Sequence, residues 1–146
     1  MEREFRILSV CCLAMIAALL IVGAVSHGVI RHMVQTSPLW VIFALAVRRL
    51  PISKWAALPC FLIWFLLMSF IWLFLLGWAR IITGTFTPTE FAMTLIVALA
   101  SITGIAWAIR IKSGVRAWPA IATALLFTVL QAAVIRVSFL PQIARR

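Results

Sequence analysis

Apolar residues fall along this chain in long unbroken blocks rather than in the alternation of a strand or the single stripe of a soluble amphipathic helix. Polar and basic residues gather between the blocks. Residues 7–25 form the first block, without a charge. A helix needs about 20 apolar residues to cross the hydrocarbon core, so this block predicts a span over about 7–26. Ala24 and Ser26 also offer a small-x-small cleavage pattern before His27. The preceding Glu2-Arg3-Glu4-Phe5-Arg6 carries no net side-chain charge, unlike a signal peptide, and a retained helix is expected.

The second block, residues 39–47, is short. Ser37 and Pro38 before it read as an N-cap and a first-turn proline, and Arg48, Arg49 and Pro51 follow it. A helix over 38–50 would be about 20 Å long, short of the ~30 Å core. It would cross only with snorkelling arginines and local thinning, or remain a half-span. The other reading is a helix over 29–47 kinked at Pro38, with Gln35, Thr36 and Ser37 at mid-membrane. The Ser37-Pro38 cap is the expectation.

Residues 55–78 form the most apolar block, with Ser53 placed to cap it and Arg80 and Gly84 to end it; the expected span is about 54–80. Phe61, Phe65, Phe70, Phe74, Trp64 and Trp72 lie inside it. Such bulk on nearly every face predicts lipid exposure or a wide hydrophobic contact, not a pore wall. Thr87-Pro88-Thr89-Glu90 is a capping box with proline at the first helical position. It opens a span over about 88–111, closed by Arg110, Lys112, Gly114 and Arg116. Ala100, Gly104 and Ala108 recur every fourth residue there, a stripe that lets another helix approach closely.

The last span, about 117–136, has Pro119 near its start and Arg136 at its end. Ala124, Thr128, Gln131, Ala132 and Ile135 share one face. A buried primary amide needs a partner, so this face is expected to meet the Ala100-Gly104-Ala108 stripe. The two helices would pack antiparallel through the short connection around 112–116, with Gln131 bonded to a neighbouring helix. The fold class is therefore all-α: one polytopic transmembrane bundle over 1–146, with four full spans and one short or half-span.

Composition agrees. Hydrophobic residues make up 66% of the 146 and charged residues 11%, against about 45–50% and 25% in soluble domains. A soluble enzyme, a disordered tail and a disulfide-rich module are excluded. The net charge of +10 sits between apolar blocks and orients helices by the positive-inside rule. A nucleic-acid partner is excluded on that distribution, and a bilayer with anionic headgroups is the expected partner. Five crossings from an inner N-terminus put eight cations inside (Arg3, Arg6, Arg48, Arg49, Lys54, Arg110, Lys112, Arg116) and five outside (Arg31, Arg80, Arg136, Arg145, Arg146). Four crossings from an outer N-terminus give seven against six, so the rule favours five.

Candidate chemistry is sparse. Glu90 is the only carboxylate beyond residue 4, and its place in the capping box reads as helix stabilisation, with proton or cation coupling as the alternative. Arg31, His32 and Gln35 form the most polar cluster beside an apolar block. Under the Ser37-Pro38 cap they lie in an outer loop; under the kinked reading they form an intramembrane site. His27 and His32 are five apart and share no helix face. Cys11, Cys12 and Cys60 read as small apolar core residues.

Two spacings resemble known families. Gly23-x-x-x-His27 resembles light-harvesting polypeptides, whose histidine ligates bacteriochlorophyll, although those are single-span chains. The Cys11-Cys12 pair resembles mercuric-ion transport proteins, which carry a further cysteine pair missing here. Trp40, Trp55, Trp78, Trp107 and Trp118 lie near expected interfaces, as an aromatic belt requires.

No nucleotide loop, nucleophile–base pair or zinc motif is present, so no catalytic residue, metal or cofactor is assigned. The expected role is an accessory or assembly subunit of a membrane complex, associating with other subunits or with itself, in a bacterial inner membrane. A small-solute transporter or channel is the alternative, and a membrane enzyme or cofactor carrier the third reading.

Overall fold

A computed structural model describes residues 2–80 and 84–144; Arg145 and Arg146 lie outside the described residues. The described residues form a bundle of five helices long and apolar enough to cross a membrane: α1 (Glu2–Val25), α2 (Val29–Val47), α3 (Ser53–Leu75), α4 (Pro88–Arg110) and α5 (Ala117–Ser138). A short α6 (Pro141–Ala144) follows and rests on α2 and α5. No strand occurs among the described residues.

The second helix starts at Val29, not at Pro38. Its N-cap is Gly28, and Pro38 lies inside it. Proline removes one backbone donor, so the carbonyl four residues earlier loses its partner. That carbonyl belongs to Val34, and the Ser37 hydroxyl donates to it at 2.8 Å. The Ser-Pro pair that resembles a helix start thus repairs a helix interior. The turn before α2 is tight: Gly28 N–H donates to Gly23 O at 2.8 Å, and His27 takes a positive φ of 55°.

The ends of α3 also differ from expectation. Ser53 makes no capping bond; Ile52 is the N-cap and the Ser53 hydroxyl is buried without a partner among the described residues. The helix stops at Gly77 rather than near Arg80 and Gly84. Gly77 adopts φ +76°, with Gly77 N–H bonded to Phe74 O and Trp78 N–H to Leu73 O. This is a Schellman motif, which needs the left-handed conformation glycine takes without strain. The capping box of α4 forms as expected: Glu90 N–H donates to Thr87 Oγ1 and Thr87 N–H to Glu90 Oε2.

The helices form a closed ring in the order α1, α2, α5, α3, α4 and back to α1, with a lesser contact of α2 on α3. Consecutive α4 and α5 do not pack together; α3 stands between them. The expected antiparallel pairing is therefore corrected. The Ala100-Gly104-Ala108 stripe is buried, but its glycine meets Phe61 of α3. The buried face of α5 is Ala120, Phe127, Gln131 and Ser138. Thr128 is exposed and donates to Ala124 O within its own helix, so it is not a packing residue.

The end of the bundle that holds the N-terminus is knitted shut. Arg49 pairs with Glu2 at 2.5 Å. Lys54 Nζ donates to the carbonyls of Ile109 and Ile111 at 3.2 and 3.1 Å, satisfying the end of α4 from the start of α3. Trp55 Nε1 donates to Ser113 Oγ. Above this end the interior is filled by Leu8, Cys12, Met15, Ala57, Cys60, Phe61 and Ala108, each with no measurable exposure.

Candidate functional site: a polar cavity at one end of the bundle

The opposite end is hollow. A cavity of about 360 Å³ opens there, with walls from all five long helices. Ligand pockets begin at about this size. Its apolar wall is Leu19, Trp64, Leu67, Met68, Ile71 and Val97; its polar wall is chiefly Arg31, His32 and Gln35 of α2 with Glu90 and Thr94 of α4.

The expected outer-loop position of Arg31, His32 and Gln35 is thus overturned: all three lie in the first two turns of α2. Early helical start and close packing put them there. A Cβ on Gly23 of α1 would lie 3.1 Å from both the Val29 Cα and the His32 Cβ. Glycine at 23 therefore lets α2 press on α1 and seats His32, which is 4% exposed. His27, the residue paired with Gly23 by spacing, is exposed in the turn.

The bonds around the cavity define what remains free. His32 Nδ1 stands 3.0 Å from Gly28 O. A carbonyl only accepts, so Nδ1 carries the proton and Nε2 presents a lone pair. Gln35 Nε2 donates to Ser138 Oγ at 2.8 Å, leaving its Oε1 without a partner among the described residues. Gln131 Nε2 donates to Gln35 O at 3.3 Å. The sequence expectation that Gln131 turns inward to a neighbouring helix holds, but the neighbour is α2. These two bonds clasp α2 to α5.

Glu90 is both a cap and a wall residue. Its Oε2 accepts from Thr87 N–H and Thr87 Oγ1–H, at 2.7 and 3.0 Å, and the residue lines the cavity. Arg31 is half-buried with its guanidinium 4.8 Å from the centroid of the Phe139 ring, a cation–π distance. Trp64, 3% exposed, has an indole N–H with no partner among the described residues.

Sequence reasoning missed Trp64 and Thr94 as site residues and did not join Glu90 to the α2 cluster. The signal available was Glu90 itself, a carboxylate at a helix end facing the same side as the α1–α2 turn. Cys11, Cys12 and Cys60 are buried in the core, outside this cavity, and Cys60 Sγ–H donates to Phe127 O at 3.8 Å. Among the described residues no three His, Cys, Asp or Glu side chains gather as a metal set.

No family model, curated protein or solved structure matches this chain.

Proposed function

We propose that this chain is a small-solute carrier or receptor of a bacterial inner membrane, taking its ligand into the cavity at the end opposite the N-terminus. The cavity carries this reading. Ionisable and amide side chains inside a membrane bundle are costly unless they face a partner or a polar space, and here they line one space together. The filled core beneath them makes the space a blind pocket rather than a pore. With the N-terminus on the cytoplasmic side, as the positive-inside bias favours, the mouth opens away from the cytoplasm.

The accessory-subunit reading rests on a bulky third helix, a small-residue stripe and the lack of a catalytic motif in the sequence. The stripe and part of the bulk find partners inside the bundle: Phe61 and Trp64 are buried, and Phe61 lies against Gly104, while Phe70 remains exposed. The outer face of α5 carries Leu125, Leu126 and Val129, each more than 60% exposed. Large aliphatic side chains suit lipid, whereas membrane helix interfaces favour small ones.

Thermal unfolding of the full chain in mild detergent, screened against classes of small solutes, tests this. At least one class should raise the Tm of the wild type and not that of Thr94→Phe, whose added ring fills the cavity. An equal response in both proteins, or co-purifying subunits that cover the mouth, would return the accessory reading.

A further inference from the structure

The free groups that α2 and α4 bring to the cavity share one character, while the unpartnered Trp64 indole N–H of α3 is a donor. Glu90 Oε1, His32 Nε2 and Gln35 Oε1 are acceptors, and none has a hydrogen-bond partner among the described residues. They come from two helices on different sides of the ring, α2 and α4. Glu90 adds a negative charge, and the Trp64 side chain adds a polarisable apolar wall. Acceptors around a carboxylate call for a ligand rich in N–H donors and positive charge.

We propose that the cavity binds a small organic ammonium, a protonated amine on an apolar body, through Glu90, His32 and Gln35. This rests on the pocket reading above. The apolar body lies against Trp64 and Met68. Arg31 is the cation that shares the cavity; its guanidinium lies over Phe139 on the α2–α5 side, while Glu90 belongs to α4. A ligand that also carries a carboxylate would meet Arg31. Two sources therefore share the ammonium chemistry, a simple lipophilic amine and an apolar amino acid, and Arg31 tells them apart.

Isothermal titration of the full chain in mild detergent with tryptamine, tryptophan, 3-methylindole and indole-3-acetate tests the proposal. Tryptamine or tryptophan should bind saturably, with 3-methylindole and indole-3-acetate much weaker. Glu90→Gln should weaken the amine by about tenfold or more, the loss of one charge-assisted contact. Glutamine also completes a capping box, so α4 keeps its start, and an unchanged circular dichroism spectrum and Tm check this. Arg31→Gln should weaken tryptophan alone if the ligand is an amino acid, and should leave tryptamine unweakened if it is a simple amine. Binding of 3-methylindole or indole-3-acetate as tight as tryptamine, unchanged in Glu90→Gln, overturns the ammonium while leaving the pocket reading standing. Saturable binding of none of the four also overturns it, and the Thr94→Phe screen judges the pocket reading separately.

Discussion

Gly104 of α4 lies directly under the ring of Phe61 in α3: a Cβ at 104 would sit 2.6 Å from Phe61 Cε2 and 2.8 Å from Cζ. Phe61 is fully buried, so its ring has no free space to turn into. Gly104→Ala should cost about 1–3 kcal/mol, the range for overpacking, and Gly104→Leu more. Unfolding of each variant in detergent measures this. Phe61→Leu should restore part of the loss in Gly104→Ala. Full stability of Gly104→Leu would place the stripe elsewhere.

Ser37 and Pro38 should be energetically coupled. With Pro38 present, the Ser37 hydroxyl is the donor that Val34 O receives in place of a backbone N–H. Ser37→Ala should then cost about 0.5–1.5 kcal/mol, the net worth of one hydrogen bond. In a Pro38→Ala background the backbone N–H returns and Ser37→Ala should cost almost nothing. A double-mutant cycle reads the difference; additive effects would mean that the hydroxyl does not repair the helix.

Gln131 should tolerate leucine and not alanine. Its amide donates one bond to Gln35 O, while its Oε1 is buried without a partner among the described residues. Interhelical bonds in membranes average about 0.6 kcal/mol, and leucine removes the unsatisfied oxygen along with the donor. Gln131→Leu should therefore unfold within about 1 kcal/mol of wild type. Gln131→Ala leaves a void beside Gln35 and should cost about 2 kcal/mol or more.

Topology reporters should alternate along the five spans. Fusions at residue 3, after Lys54 and after Arg116 should share one side, and a fusion after Gly84 should read the other. Cation bias makes the shared side the cytoplasm. A reporter at residue 3 opposite to the one after Lys54 would require α2 to remain on one face.

Block length and composition were enough to determine a membrane bundle, because crossing a bilayer is a one-dimensional requirement of about 20 apolar residues. The start of α4 was also legible. A capping box is closed by Thr87 and Glu90 of a single turn, and needs nothing from the rest of the fold.

Ser37 and Pro38 show where sequence reasoning stops. The same pair serves as a helix start or as a repaired interior, since serine can donate to a carbonyl as well as cap N–H groups. What decides is the packing of residues 29–36, where Gly23 admits Val29 and His32 against α1 and Gln131 bonds Gln35 from α5. Ring order was equally hidden. A short connection brings the end of α4 near the start of α5, but α3 wins the place beside α4 because Phe61 fills the groove at Gly104. Gathering Arg31, His32, Gln35 and Glu90 around one cavity follows from these two choices. Each is a contact between residues far apart in sequence, and no local pattern of the chain encodes it.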